Sequence, residues 1–325
     1  MTTDTVDSRL HRRANMFWPL LGTTVAIESV AANPAELERA EETVHAEIQR
    51  LEAVFTVFDP TSLLRRWISE PATSLTSEFI DLLGVALAWH ERTGGLFNLG
   101  TRDLTDTWTG RSERSPVPSN DAATLSRQMA IRPYHLDAQQ RPVPSEELSR
   151  LDLNGIAKGF ILDRAAASAW GACALSSLVV NAGGDLVHRG IDHAVVSIEH
   201  PTRCVDNAPA GHLEVRNAAV ATSGPAHRAI VVDGEPTHHV FDPRTGTPAR
   251  PRGSATVIAP DATTADAVAT VLAILQPDDA LDFVDDLNRH GYPLPLSQVC
   301  DPSRRIEAWV VDEDGATHLR RRRVC

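Results

Sequence analysis

The chain has 325 residues, of which 42% are hydrophobic and 23% are charged, as in ordinary soluble globular proteins. Its net charge of -12 argues against a protein that binds nucleic acid through a broad basic face. The charge does not exclude a phosphate-bearing small ligand, because a metal ion and a few donors can reverse the field inside one cleft.

Several features predict a cytoplasmic protein without membrane insertion. No uncharged run approaches the roughly 20 residues that span a bilayer. Acidic Asp4 and Asp7 precede the apolar stretch 16–27, and neither a small-residue cleavage site nor a lipid-accepting cysteine follows it. The four cysteines are scattered and form no Cys-x-x-Cys pair, which argues against a zinc site or disulfide framework.

The first third of the chain predicts an arm, a strand and two helices. Residues 1–15 are polar and mixed in charge, as in a flexible N-terminal arm, and residues 16–325 are expected to form one domain with two lobes. A strand is expected near 22–29. Asn33-Pro34 then provides a cap and a first-turn proline for a helix whose buried stripe includes Leu37, Val44, Ile48 and Leu51.

A second, well-buried helix is expected from about Thr76 to His90, followed by the loop Thr93–Asn98. Residues 110–121 are rich in Ser, Pro and Asn and predict an exposed insertion.

The remainder of the chain interleaves strands with helices. Helices are expected from Ile156 to about Trp170, over 262–275, and from Pro277 onward. Gly-Gly, Asp-Asn and Asp-Gly breaks delimit most of the strands. These strands are expected near 177–181, 185–189, 194–199, 212–216, 218–222, 229–233, 237–241, 254–259 and 308–311. The pattern predicts an α+β fold, a mixed sheet with packed helices.

Three short motifs carry polar groups at turns. Asp152–Gly159 is a glycine-punctuated helix start where backbone N–H groups and the Lys158 ammonium suit a phosphate, although a capped helix with an exposed lysine explains it equally well. Asn181-Ala-Gly-Gly-Asp185 needs only a hairpin turn. Ala221-Thr222-Ser223-Gly224 places hydroxyls at a strand end.

A fourth motif, Asp261–Thr270, is expected on a helix, where Asp266 and Thr270 project from one face. A carboxylate and a hydroxyl placed in this way are hard oxygen donors suited to Mg²⁺. Alternatively, Asp266 only favours the positive end of the helix dipole.

A fifth stretch, Thr237–Pro248, predicts a strand that ends in a tight turn at Asp242-Pro243. This turn would place imidazole, carboxylate and guanidinium groups together. A polar hairpin end without chemistry remains the alternative.

Together these motifs resemble the ApbE-like flavin transferases (FAD:protein FMN transferases). The shared patterns occur in the family order between about Leu21 and Leu275: Asp-x-x-Gly-Ile-Ala-Lys-Gly, Asn-Ala-Gly-Gly-Asp, Ala-Thr-Ser-Gly, His-x-x-Asp-Pro-x-Thr-Gly and Ala-Asp-Ala-x-Ala-Thr. The resemblance implies an ApbE-like (T-fold-related) fold with an FAD cleft between two lobes. It also implies Mg²⁺-dependent cleavage of FAD, transfer of FMN to a Thr or Ser hydroxyl of an acceptor flavoprotein, and release of AMP.

The resemblance assigns roles to individual residues. Metal ligands would be the Gly155 carbonyl, Asp266 and Thr270. Flavin-nucleotide contacts would come from Leu21, Phe58, Leu96, Phe97, Asn98, Asp152, Lys158, Asp185, Thr222 and Phe241. His239 would lie beside the reacting phosphoryl group, and either His239 or Asp242 would serve as the base that takes the acceptor proton.

The chain departs from the family pattern mainly on the flavin side. Leu21 replaces the usual Met, Phe58 replaces an aromatic residue that is usually Tyr, and Asn98 replaces Asp. The asparagine expected soon after Ser62 is absent. These departures bear on ring recognition and substrate choice more than on phosphate chemistry. The alternative functions are an FAD pyrophosphatase that releases FMN and AMP, and a non-catalytic FAD carrier. The acceptor itself and the oligomeric state are not predicted.

Overall fold

The computed structural model of the protein describes residues 10–109, 124, 126–198, 209, 211–224, 230–232, 235–237, 239–249, 253–294, 305–312 and 316–320. The predicted insertion at 110–121 lies outside these residues. The helices of the described part are α1 (Pro34–Phe55), α2 (Leu63–Ser69), α3 (Ser77–Arg92), α4 (Arg102–Thr109), α5 (Ala157–Ala172), α6 (Ala262–Leu272) and α7 (Pro277–His290).

The strands of the first half of the chain are β1 (His11–Leu20), β2 (Thr23–Ala31), β3 (Tyr134–Leu136) and β4 (Pro142–Pro144). Those that follow α5 are β5 (Ser177–Ala182), β6 (Asp185–Gly190), β7 (Ala194–Ile198), β8 (Gly211–Val215), β9 (Ala218–Ser223), β10 (Ile230–Val232), β11 (Glu235–Thr237), β12 (Phe241–Asp242), β13 (Thr247–Pro248), β14 (Ser254–Ala259), β15 (Glu307–Val311) and β16 (Thr317–Arg320).

The largest sheet of the described part has eight strands in the order β1-β2-β5-β6-β9-β14-β15-β16. Every neighbouring pair in this sheet is antiparallel, so the α+β class is confirmed, but the sheet is antiparallel and not mixed as predicted. Strands β14 and β15, for example, are neighbours joined through the two helices α6 and α7, and the chain reverses direction over this pair of helices.

Helices α1, α5 and α6 cover one face of this sheet. Alternation along the strands sends one set of side chains toward them, such as Val25 and Ile27 of β2, which are at most 1% exposed. One hydrophobic cluster contains side chains from Leu20 to Val310. The β7–β8 hairpin packs on the other face, where Leu213 and Val215 meet Val220. No described helix is long and apolar enough to cross a bilayer.

The N-terminal strand β1 was not expected. Residues 1–9 are not described, but residues 11–15, predicted as part of a flexible arm, pair with β2 in regular register. Arg13 and Asn15 also donate hydrogen bonds to the Glu41 carboxylate on α1, with N–O distances of 2.6–3.0 Å. These polar contacts hold a strand that lacks a clear hydrophobic alternation.

The strand predicted over 237–241 is divided in two. β11 ends at Thr237 and pairs with β10, whereas β12 begins at Phe241 and pairs with β13. His239 and Val240 form a bend between the two hairpins, because the chain changes partner strands there.

Candidate functional site

The turn before α5 lies against the second half of α6. An ideal Cβ placed on Gly155 would be 2.9 Å from the Thr270 hydroxyl oxygen and 3.3 Å from a ring carbon of Phe97. These distances are shorter than ordinary van der Waals contacts. Gly155, Thr270 and Phe97 are therefore packed together in a way that only glycine allows at position 155.

Asp266 lies one turn before Thr270 on α6 and is 6% exposed. Its Oδ2 accepts a hydrogen bond from the backbone N–H of Gly159 at 3.1 Å. The structure thus brings the three predicted metal ligands together at the contact between the start of α5 and α6.

The donor chemistry of this cluster fits Mg²⁺. A backbone carbonyl, one carboxylate and one hydroxyl are hard oxygen ligands, and Mg²⁺ is usually bound through one or two carboxylates with the remaining ligands from water and substrate. Gly155, Asp266 and Thr270 supply this set. Among the described residues, no group of three or more His, Cys, Asp or Glu side chains forms an alternative metal centre.

Helices α5 and α6 are joined closely at this point. A Cβ on Gly159 would overlap the carbonyl group of Ala262, so the two backbones are in direct contact. The carboxylate of Asp163 accepts hydrogen bonds from the backbone N–H groups of Ala262 and Thr263 and from the Thr263 hydroxyl, at 2.9, 2.8 and 2.6 Å. Sequence reasoning missed Asp163, because its partners are a hundred residues away.

A second carboxylate, that of the N-cap residue Asp261, caps the same helix start. It accepts from the backbone N–H and the hydroxyl of Thr264 at 2.7 and 2.9 Å. Burial and the neighbouring charge of Asp163 raise the pKa of Asp261 to about 7. Two buried acidic side chains therefore meet the N-terminus of the helix that carries Asp266 and Thr270.

Lys158 extends the cluster toward the sheet. Its Nζ lies 2.5 Å from Oδ2 of Asp185, and the side chains are 14% and 3% exposed. The other oxygen of Asp185 accepts from the backbone N–H of Thr222 at 3.3 Å. Lys158 is thus a half-buried cation one residue before Gly159, whose N–H donates to Asp266.

Leu21 lies in the turn between β1 and β2, near the β5–β6 turn that precedes Asp185. Leu21 and Gly22 both have positive φ, 54° and 66°, in the two-residue connection between β1 and β2. A Cβ on Gly183 would lie 2.6 Å from the Thr23 hydroxyl, so this turn packs on the β5–β6 turn that leads to Asp185.

Asp152 lies before the same helix start. Its two oxygens accept from the Asn154 N–H at 2.8 Å and from the Thr101 hydroxyl at 3.2 Å. Burial raises the pKa of Asp152 above its ordinary value, with these hydrogen bonds acting in the opposite direction.

The loop Leu96–Asn98 connects Gly155, Asp266 and Thr270, the candidate metal cluster, to the rest of the site. Phe97 is 3% exposed beside Gly155, and Leu96 packs against the main core cluster. The Asn98 amide donates to the carbonyl of Met129 at 3.1 Å, and its Oδ1 accepts from the N–H of Gly100 at 2.8 Å.

His90 was not predicted, yet its Nδ1 lies 3.0 Å from the Phe97 carbonyl. Burial lowers the pKa of His90, which favours the neutral ring that donates to this carbonyl.

The hairpin with Phe241 and Asp242 packs on the other end of this loop. Phe241 is 4% exposed and packs with Met129, Leu104 and Trp108. The Ser126 hydroxyl donates to the carbonyls of Pro243 and Arg244 at 3.0 and 2.9 Å. Phe97, Asn98, Met129 and Phe241 thus form a continuous path from the metal cluster to this hairpin.

Carboxylate and guanidinium groups meet in the hairpin turn as expected. Arg244 donates from Nε to Oδ1 of Asp242 at 2.9 Å and from Nη2 to Oδ2 at 2.7 Å. The backbone N–H of Arg244 also donates to Oδ1, at 2.9 Å. His239 lies three residues before Asp242 and is half-buried.

Two predicted flavin contacts are placed differently from the rest. Phe58 is 91% exposed in the loop after α1. The Thr222 hydroxyl lies 3.0 Å from that of Thr256, on the sheet face that carries Val220 and not on the α6 face. Thr222 contacts Asp185 through its backbone N–H and not through its hydroxyl.

Comparisons with known proteins place the chain among flavin transferases of one family. The model of the ApbE family matches residues 21–292. An FAD:protein FMN transferase from Treponema pallidum is 29% identical over 279 residues, 79% of this chain and 77% of the relative. One from Escherichia coli K12 is 27% identical over 271 residues, 78% of this chain and 75% of the relative.

Solved structures show the same architecture. The ApbE protein from Thermotoga maritima has a TM-score of 0.76 and 27% identity, with 95% of this chain and 97% of that chain covered. The apo flavinyl transferase ApbE from Pseudomonas stutzeri has a TM-score of 0.72 at 22% identity, with 96% and 94% covered, which shows the fold alone. With the family match over residues 21–292, the chain belongs to the ApbE family.

Proposed function

We propose that this chain is an FAD:protein FMN transferase, which moves FMN from FAD to a Thr or Ser hydroxyl of an acceptor flavoprotein and releases AMP. The observation that carries the proposal is the contact of Gly155 with Thr270. Asp266 lies one turn before Thr270 on α6, and Lys158 follows Gly155 by three residues. Relatives named FAD:protein FMN transferase that match more than three quarters of the chain support it.

The metal would be Mg²⁺, held by the Gly155 carbonyl, Asp266 and Thr270. When bound, it would neutralise negative charge on the pyrophosphate. Lys158 adds a fixed cation close to these donors, and its pairing with Asp185 keeps the ammonium in place before substrate arrives.

FAD would lie in a cleft between the two lobes, with contacts from the loop Leu96–Asn98 and from Phe241. Support for this placement comes from the path of packed residues between that loop and the hairpin. Positioning of this kind supplies a large part of catalysis in phosphoryl transfer.

In the transfer step, the acceptor hydroxyl oxygen forms a bond to the phosphorus of the FMN moiety, and the bond from this phosphorus to the AMP oxygen breaks. AMP leaves with the bonding electrons, and the hydroxyl proton passes to a base on the enzyme. His239 is the better candidate for this base, because three hydrogen bonds from Arg244 already occupy the Asp242 carboxylate.

Product analysis tests the proposal against its alternatives. The purified chain is incubated with FAD and Mg²⁺, with and without a purified candidate acceptor, and AMP and the mass of the acceptor are measured. AMP that forms only with acceptor, together with a covalent FMN mass increase, supports the transferase. AMP without acceptor indicates a pyrophosphatase, and bound FAD without AMP under either condition indicates a carrier.

A further inference from the structure

We propose that Asp163 is a positioning residue for the metal site. It fixes the start of α6 against α5, and it thereby sets Asp266 and Thr270 at the correct distance from Gly155. The inference rests on the function proposed above, because it assigns a role within the same site.

The carboxylate of Asp163 holds the part of α6 where a helix leaves N–H groups without internal partners. Oδ1 accepts from the N–H of Ala262, while Oδ2 accepts from the N–H and the hydroxyl of Thr263. Asp163 belongs to α5, so these bonds join two helices and are more than a cap within one of them.

A second tie lies one turn away on both helices. Gly159, four residues before Asp163, donates its N–H to Asp266, which lies four residues after Ala262. Two ties spaced by one turn fix both the rotation of α6 about its axis and its position along α5. The Gly159–Ala262 backbone contact sets the separation. Thr270 follows Asp266 by one further turn and therefore meets Gly155 in a fixed register.

Asp163 and the N-cap residue Asp261 bind different donors at the start of α6. Asp261 already caps α6 from the N-cap position with two hydrogen bonds. Asp163 adds a second carboxylate that is only 2% exposed, next to the first. A second buried charge of the same sign is unfavourable. Beyond Asp261, Asp163 supplies acceptors for the N–H groups of Ala262 and Thr263 and the connection between α5 and α6.

The test compares two variants of the full chain that each replace a buried carboxyl group at the same helix end with an amide. Asp163→Asn weakens the tie to α5, whereas Asp261→Asn keeps a good N-cap residue and leaves the tie intact. Metal affinity is measured with Mn²⁺ alone by EPR, without FAD and without turnover. Mg²⁺-dependent FAD binding is measured in parallel by fluorescence.

We expect Asp163→Asn to weaken Mn²⁺ binding by about tenfold, as is typical when a group that orients a metal ligand is lost. Asp261→Asn, the matched comparison, should change Mn²⁺ affinity by less than about twofold, because it leaves the tie between α5 and α6 intact. Equal Mn²⁺ affinity in wild type and Asp163→Asn would overturn the inference and leave the proposed function standing. Wild type that binds neither Mn²⁺ nor Mg²⁺ would overturn both.

If Asp163→Asn does not fold, a milder variant tests the positioning role of Asp163. Thr263→Val removes only the hydroxyl donor to Asp163 and keeps the shape of a side chain that is fully buried. We expect a folded protein with Mn²⁺ binding weakened by a few-fold, a smaller loss than the tenfold typical of a whole orienting group. Unchanged Mn²⁺ affinity in folded Thr263→Val would contradict a positioning role for this tie.

Discussion

The side-chain amide of Asn98 donates a hydrogen bond to the backbone carbonyl of Met129, with 3.1 Å between Nδ2 and the oxygen. The Met129 side chain packs on Phe241, so this bond connects the loop beside the metal cluster to the hairpin that follows His239. The chain has Asn where the family pattern has Asp, and only the amide can donate to a carbonyl.

Asn98→Asp should therefore destabilise the protein and weaken FAD binding. A carboxylate would place a negatively charged oxygen against the Met129 carbonyl, and the free energy of unfolding should fall by about 1–3 kcal/mol. Denaturant unfolding and FAD titration measure the two effects.

The control is Asn33→Asp at the N-cap of α1. There only the side-chain oxygen is used, as an acceptor from the N–H of Ala35, so a carboxylate works equally well. Equal stability and FAD affinity in the two Asn→Asp variants would contradict the connecting role of Asn98.

Gly155→Ala tests the packing at the metal cluster. The added methyl carbon would start 2.9 Å from the Thr270 hydroxyl, so either the turn or α6 must shift. We expect a loss of about 1–3 kcal/mol in unfolding free energy and weaker Mg²⁺-dependent FAD binding.

The double variant Gly155→Ala/Thr270→Ala separates these two effects. Removing the Thr270 side chain relieves its contact with the new methyl group, so part of the stability should return. Metal-dependent FAD binding should not recover, because a ligand has been lost. A double-mutant cycle on stability and on binding gives the two coupling energies, and recovery of both would count against Thr270 as a ligand.

Gly159→Ala should be among the most damaging single methyl additions to α5. The new methyl group would overlap the Ala262 carbonyl, which belongs to a backbone that cannot rotate away. Gly171→Ala in the same helix is the matched comparison, because nothing lies within 4 Å of its Cβ position. It should stabilise the protein by about 0.5–1 kcal/mol through helix propensity. Thermal unfolding of both variants shows whether the two changes in stability have opposite signs.

Local signals predicted much of the fold because they act over a few residues. The Asn33-Pro34 cap and the apolar spacing gave the start and buried stripe of α1, and Pro277 marked the first residue of α7. β1 and α4 lack such signals. Arg13 and Asn15 of β1 are held by Glu41, and such contacts between distant residues cannot be read from a local pattern.

The candidate site was predictable where motif residues are themselves in contact. Gly155 lies against Thr270, and Asp266 lies one turn before Thr270 and accepts a hydrogen bond from Gly159. Asp163 and His90 were missed, because each acts on backbone groups of another segment and neither forms part of a recognisable motif. The exposure of Phe58 could not be read either, since an aromatic residue in a loop is compatible with burial or with exposure.

His239→Ala should lower FMN transfer by roughly 10²-fold or more, the usual contribution of a general base, with FAD binding retained. Asp242→Asn should lower transfer less, because Arg244 already engages that carboxylate. Single-turnover transfer, followed by the mass of the acceptor, compares the variants. A larger loss in Asp242→Asn than in His239→Ala would assign the base to Asp242.

Asp261 should make stability depend on pH in a direction opposite to that of a typical salt-bridged acid. Its pKa is raised from 3.8 to about 7, so the folded protein binds a proton that the unfolded chain releases. The stabilisation is complete below the unfolded pKa and is lost as the pH rises toward 7. At pH 8 the ionised carboxylate lies buried beside Asp163.

Asp261→Asn removes this titration and keeps an acceptor for the Thr264 N–H. Relative to wild type, the variant should gain about 1 kcal/mol or more in unfolding free energy between pH 5 and pH 8. Denaturant unfolding at both pH values measures the gain.

Asp278→Asn, at an exposed position in the first turn of α7, should show the same small difference from wild type at both pH values. If the Asp261 variant instead loses stability as the pH rises, the carboxylate is favoured in its charged form. In that case the N–H groups at the start of α6 would outweigh both burial and the charge of Asp163.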